Sequence, residues 1–197
     1  MKRVLALLVF ASFIFVPAAM AQAPAPTEPL SASLKGFYDG VKRNIVETAD
    51  LLSEDLYGFK PTPEVMSAGE MLGHVVNSAY GTCARVKGEK NPNDGNDFQK
   101  SPTKAVITKA VTDAFAYCDA VYGGMTDKVA LEPIQMPAAA APPAAGQKPT
   151  PAPPIKARLL ISMISHTNEH YGNLVTYMRL KGLVPPSTAR SQKQMKR

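Results

Sequence analysis

A chain of 197 residues, 45% hydrophobic, is long enough for one domain with a core of its own. Of its formal charge of +6, two charges belong to Lys2 and Arg3 and four to Arg190, Lys193, Lys196 and Arg197, so the body between the two ends is neutral. A neutral body lacks the basic stripe that neutralises phosphates, which excludes a nucleic-acid-binding role for it.

Lys2 and Arg3 precede the apolar run Val4 to Val16, and Ala19-Met20-Ala21 is a small-x-small cleavage signal. Together they predict a secretory signal peptide over residues 1–21 and a mature start near Gln22. The apolar run is too short for a span, and no later stretch approaches the roughly 20 apolar residues that cross a bilayer. The expected mature protein is therefore periplasmic or secreted, with no membrane segment. Residues 22–30 are Ala/Pro-rich and lack apolar periodicity, which predicts a flexible leader.

The first helix is expected from Ser31, as cap, to Leu56, with Leu34, Tyr38, Val41, Ile45, Ala49 and Leu52 at helical spacing. Gly58, Pro61 and Pro63 break it. The second helix opens on Ser67-Ala68-Gly69-Glu70, a capping-box pattern, and runs to Val86 or Lys87 before Gly88. His74 lies off its apolar face, in a strip with Ser78 and Gly81, whose small side chains leave a groove beside the ring. A polar loop over residues 88–101 leads to a third helix, with Ser101 as cap and Pro102 at its first position. Gly123-Gly124 ends that helix. Residues 126–154 turn to Ala and Pro, predicting an extended loop without helix. The fourth helix spans about Ile155 to Lys181, stopped by Gly182 and Pro185-Pro186. Residues 188–197 are a basic tail, expected as a solvated end. Four amphipathic helices and no strand make an all-α protein, a four-helix bundle over residues 31–187.

Cys83 and Cys118 are the only cysteines, and export places them where an even pair is usually joined. Each stands near the C-terminal end of its helix, so a bond between them requires the second and third helices to run side by side in the same direction. Two buried free thiols are the alternative, since both positions also fit apolar stripes.

The chain has three histidines, and two of them, His166 and His170, are four residues apart on the fourth helix. On a helix that spacing puts both imidazoles on one face, as metal ligands require. The motif around them, His166-x-x-x-His170-Tyr171-Gly172-Asn173-Leu174 followed by Arg179-Leu180-Lys181-Gly182-Leu183-Val184-Pro185-Pro186, with Met71-Leu72-Gly73-His74 upstream, resembles the DinB/YfiT-like superfamily. The resemblance covers about Ser31 to Ser187. It implies a bundle of up-down-down-up order, whose second and third helices are parallel, and a divalent transition metal, zinc or nickel in different members, held by His74, His166 and His170. Members of the family often pair into homodimers. Characterised relatives include transferases and isomerases that use low-molecular-weight thiols.

Three imidazoles fill three of the four tetrahedral positions of zinc and leave one for water or substrate, where the ion can lower a water pKa or polarise a carbonyl or thiol. Glu70, one turn before His74, and Glu169, three positions after His166, are the candidate catalytic carboxylates; each could orient an imidazole or accept a proton. Tyr171 is expected to pack in the core. The expected function is a metal-dependent hydrolase or transferase acting on a small molecule. A non-catalytic bundle that binds a metal or small ligand is the alternative.

Overall fold

A computed structural model describes residues 27–135 and 152–197. The expected signal peptide over residues 1–21 and most of the expected leader lie outside the described residues, as do residues 136–151 of the Ala/Pro stretch. Four long helices carry the fold: α1 (Pro29–Leu51), α3 (Ala68–Lys87), α4 (Lys104–Gly123) and α6 (Lys156–Leu180). Between and after them stand single turns at α2 (Glu54–Tyr57) and α5 (Asp127–Ala130), a 3-10 turn at Phe98–Lys100, and a C-terminal helix α7 (Pro186–Met195).

Each long helix buries one stripe. Leu34, Tyr38, Ile45 and Ala49 of α1 meet Ile107, Val111, Phe115 and Cys118 of α4 and Leu160, Met163, Leu174 and Met178 of α6 in one core. Around the bundle, α1 packs on α4 and α6, and α3 packs on the same two. Thus α1 is diagonal to α3. Cys83 and Cys118 are joined in a disulfide, with their Cα atoms 5.6 Å apart, so α3 and α4 run parallel. The start of α1 meets the end of α4, because the Asp127 carboxylate accepts from the Leu30 and Ser31 backbone amides at 3.2 and 2.8 Å. That makes α1 antiparallel to α4. Tyr177, late in α6, donates its hydroxyl to the carbonyl of Met66, just before α3, which makes α3 and α6 antiparallel. The order is up-down-down-up, and parallel neighbours α3 and α4 require residues 88–103 to cross the length of the bundle.

Local chemistry explains where the helices begin and end. Ser67 and Glu70 form the reciprocal capping box of α3, and Gly88 closes it in the left-handed region at φ 73°. The expected first helix divides: Leu52 is extended and buried, and α2 restarts under Ser53. This break turns Tyr57 inward, where its hydroxyl donates to the Ala49 carbonyl at 2.6 Å. Pro29, not Ser31, opens α1, whose free amides are taken by Asp127 from 96 and 97 residues away. The third long helix starts later than expected, with Thr103 instead of Ser101 at the N-cap position and Pro102 drawn against Gly69 of α3. Lys104, its first residue, donates to the Asp50 and Leu52 carbonyls at the exposed end of α1. Within the Ala/Pro stretch, α5 is a helical turn where none is expected, and an isolated antiparallel bridge pairs Pro133 with Ile155. The basic tail is also helical from Pro186, and Arg190 pairs with Glu47 and Asn44 of α1.

Candidate metal centre

His74 projects from α3 and His166 and His170 from α6, and the antiparallel packing brings the three rings to one level of the bundle. The Nε2 atom of His166 lies 3.0 Å from Nε2 of His74 and 3.0 Å from Nε2 of His170. One ligand atom from each ring falls within 4.8 Å of the others. Three nitrogens held about 2.0–2.1 Å from a tetrahedral zinc ion would be separated by about 3.3 Å, so this spacing matches a ligand set. The rings meet at 55°, 79° and 83° and do not stack, as expected when in-plane lone pairs share a target.

Hydrogen bonding alone leaves this arrangement incomplete. An imidazole nitrogen carries either one proton or one in-plane lone pair, so His166 Nε2 can complete a bond with only one of its two neighbours. A cation between them satisfies all three lone pairs. Burial pushes the His166 and His170 pKa values below the ordinary imidazole range, and the neighbouring histidines push the same way. The charge of Glu169 opposes this only in part. Both shifts favour the neutral form, which is the form that binds metal.

Of the two candidate carboxylates, Glu70 is committed elsewhere. Its Oε2 accepts the Ser67 amide at 2.6 Å and pairs with Lys60 at 2.9 Å, and these two contacts, the amide first, hold its carboxyl below the usual range. Glu169 is exposed on α6, between the two ligand positions, close enough for its charge to act on both rings. Tyr171 is buried, its hydroxyl donating to Ser187 Oγ at 2.7 Å, so it fastens the turn into α7. The groove strip of His74, Ser78 and Gly81 is half-buried.

Sequence reasoning missed Gln99. Its Oε1 lies 3.3 Å from His74 Nδ1, and it comes from the crossover, 25 residues away from that histidine. No local sequence signal marks it, because the close approach of the crossover at Gly69 and Gly73 of α3 exists only in the folded chain. A second feature is a cleft of about 450 Å³ between α3, α6 and the segment before α3, lined by Val65, Met66, Met71, Asn173, Thr176 and Tyr177. Met71 stands one turn before His74 and Asn173 one turn after His170, so on antiparallel helices the cleft lies about one turn from the level of the rings, which do not line it.

The sequence profile of the DinB superfamily matches residues 38–174, a span that includes all three histidines. The chain belongs to the DinB superfamily. Among solved structures it is similar to a DinB-like protein from Bacillus cereus ATCC 10987, at 20% identity, TM-score 0.56, covering 77% of this chain and 95% of that one. It is also similar to a conserved protein from Enterococcus faecalis, at 13% identity, TM-score 0.56, covering 76% and 95%. At these identities the likeness concerns the fold. No curated protein matches the sequence. Among the described residues no helix is long and apolar enough to cross a membrane. The three-histidine cluster of this DinB-superfamily protein fits a divalent metal.

Proposed function

We propose that the protein is an exported metal-dependent hydrolase or transferase whose divalent ion is held by His74, His166 and His170. The observation that carries the proposal is the convergence of three Nε2 atoms from two helices, at 3.0 Å contacts that neutral imidazoles cannot all satisfy by hydrogen bonding. Zinc and nickel both suit an all-imidazole set. When bound, such an ion supplies Lewis acidity at a position the three ligands leave open.

The chain's own residues supply the rest. The cleft of Met66, Met71 and Tyr177 seats the organic part of a small substrate beside the ligands, and Asn173 and Thr176 offer it polar contacts. Glu169, exposed beside the rings, is the carboxylate free to take or return a proton, whereas Glu70 serves the α3 cap. The export in this reading rests on the signal peptide expected over residues 1–21, and the Cys83–Cys118 bond is compatible with it. One observation favours a non-catalytic binding role: the hydrogen-bonding partner at the rings is the amide of Gln99, not an acid.

Cobalt substitution separates these readings. Untagged, chelator-treated protein loaded with cobalt(II) should take up one ion per chain and show a visible spectrum that changes when a small thiol or azide is added. Hydrolysis or thiol transfer should then appear in a substrate screen and fall at least tenfold in Glu169→Gln. An ion whose spectrum ignores every added ligand would mean a closed site, which rules out the open-position mechanism.

A further inference from the structure

A loop that joins two parallel helices has only to travel their length, yet the crossover from α3 to α4 is pressed into α3 beside the histidine cluster. Two glycines permit it. A Cβ at Gly73 would stand 2.5 Å from the Phe98 carbonyl oxygen and 2.7 Å from the Gln99 nitrogen, and one at Gly69 would stand 2.4 Å from the Pro102 oxygen. Asn77, one turn after Gly73, fastens the same stretch: its Nδ2 donates to Asp97 at 2.7 Å and its Oδ1 accepts from the Phe98 amide at 3.2 Å. The turn held in this way delivers Gln99, with Oε1 3.3 Å from His74 Nδ1 and Nε2 3.4 Å from Met66 Sδ. The corresponding Nδ1 atoms of His166 and His170 are buried without a partner. Among the described residues, His74 is thus the one ring of the cluster with an outer hydrogen bond.

We infer that Gln99 is a positioning residue of the metal site: its amide oxygen accepts the His74 Nδ1–H and leaves the Nε2 lone pair aimed where His166 and His170 converge. A neutral imidazole carries one ring proton, so whatever bonds one nitrogen decides which nitrogen is free to ligate. The amide is itself oriented, because its NH2 half faces the Met66 thioether, a weak acceptor, and its oxygen faces the ring. His74 needs this support most. It stands alone on α3, whereas His166 and His170 share one helix and one face. Removing such an outer partner typically weakens metal binding by about 10–100-fold.

The inference rests on the three-histidine reading, and two measurements keep them apart. The first is the proton position on His74 in metal-free protein, from long-range proton–nitrogen correlations. The second is zinc affinity by chelator competition in wild type, Gln99→Leu, Gln99→Glu and the neighbouring surface control Lys100→Ala. Expected are an Nδ1–H His74 in wild type, a roughly 10–100-fold weaker zinc affinity in Gln99→Leu, recovery in Gln99→Glu, whose carboxylate restores an acceptor, and no change in Lys100→Ala. The helical CD and melting curve of each variant show whether a loss comes from misfolding, and recovery in Gln99→Glu excludes that origin. His74 protonated on Nε2 in wild type, or Gln99→Leu with wild-type affinity, overturns the role of Gln99. Wild-type protein that takes up no zinc overturns the metal site itself, while the proton position still decides whether Gln99 orients the ring.

Discussion

The two histidines of α6, His170 buried and His166 half-buried, tie metal binding and stability to pH in the same direction. Their pKa values are depressed by burial, so below the ordinary imidazole value of about 6.5 the unfolded chain binds more protons than the folded one. Stability of the metal-free protein should be level above that value and fall as pH drops through it, which urea melts across the range will show; a midpoint that rises on acidification would contradict the burial argument. Bound metal should also be lost on acidification, because protons compete for the same nitrogens. A second residue-scale prediction concerns Gly73. Gly73→Ala must push the Phe98 carbonyl and Gln99 away, so it should cost about 1–3 kcal/mol, the usual range for overpacking, and weaken metal binding as well. Glycine inside a helical pattern reads in sequence only as a tolerated weakness. Its reason here is a backbone that arrives from the crossover, which no local pattern records.

Among the elements, α3 was the most legible, since its boundary signals are local. Ser67, Glu70 and Gly88 act within a few residues of one another, and the capping box forms as its spacing predicts. Ser67→Ala should lower stability by about 1 kcal/mol in denaturant melts without altering the disulfide. The ends of α1 and the start of α4 were less legible because distant groups complete them: Asp127 takes the first amides of α1, Lys104 donates to the carbonyls at its end, and Glu54 accepts the Lys104 amide that opens α4. Gln99 escaped notice for the same reason. His166 and His170 announced themselves by a four-residue spacing, whereas the Gln99–His74 contact exists only once the loop is laid across α3.

At the scale of the whole molecule, the parallel α3–α4 pair is the feature from which the rest follows. It forces a long crossover, the crossover carries Gln99 to the cluster, and the Cys83–Cys118 bond locks the pair. With the joined cysteines at a sequence separation of 35, the chain-entropy estimate of that bond is about 4 kcal/mol. Non-reducing peptide mapping should recover the two cysteine peptides linked, and reduction should lower the melting temperature markedly. The proposed metal centre joins α3 to α6 across the opposite interface. The most direct measurement of that centre is the metal content and affinity of untagged wild-type and His74→Ala protein, by elemental analysis and chelator competition. One divalent transition ion per chain in wild type, lost or severely weakened in His74→Ala, is the predicted result. Full stoichiometry and unchanged affinity in His74→Ala would contradict the three-histidine site.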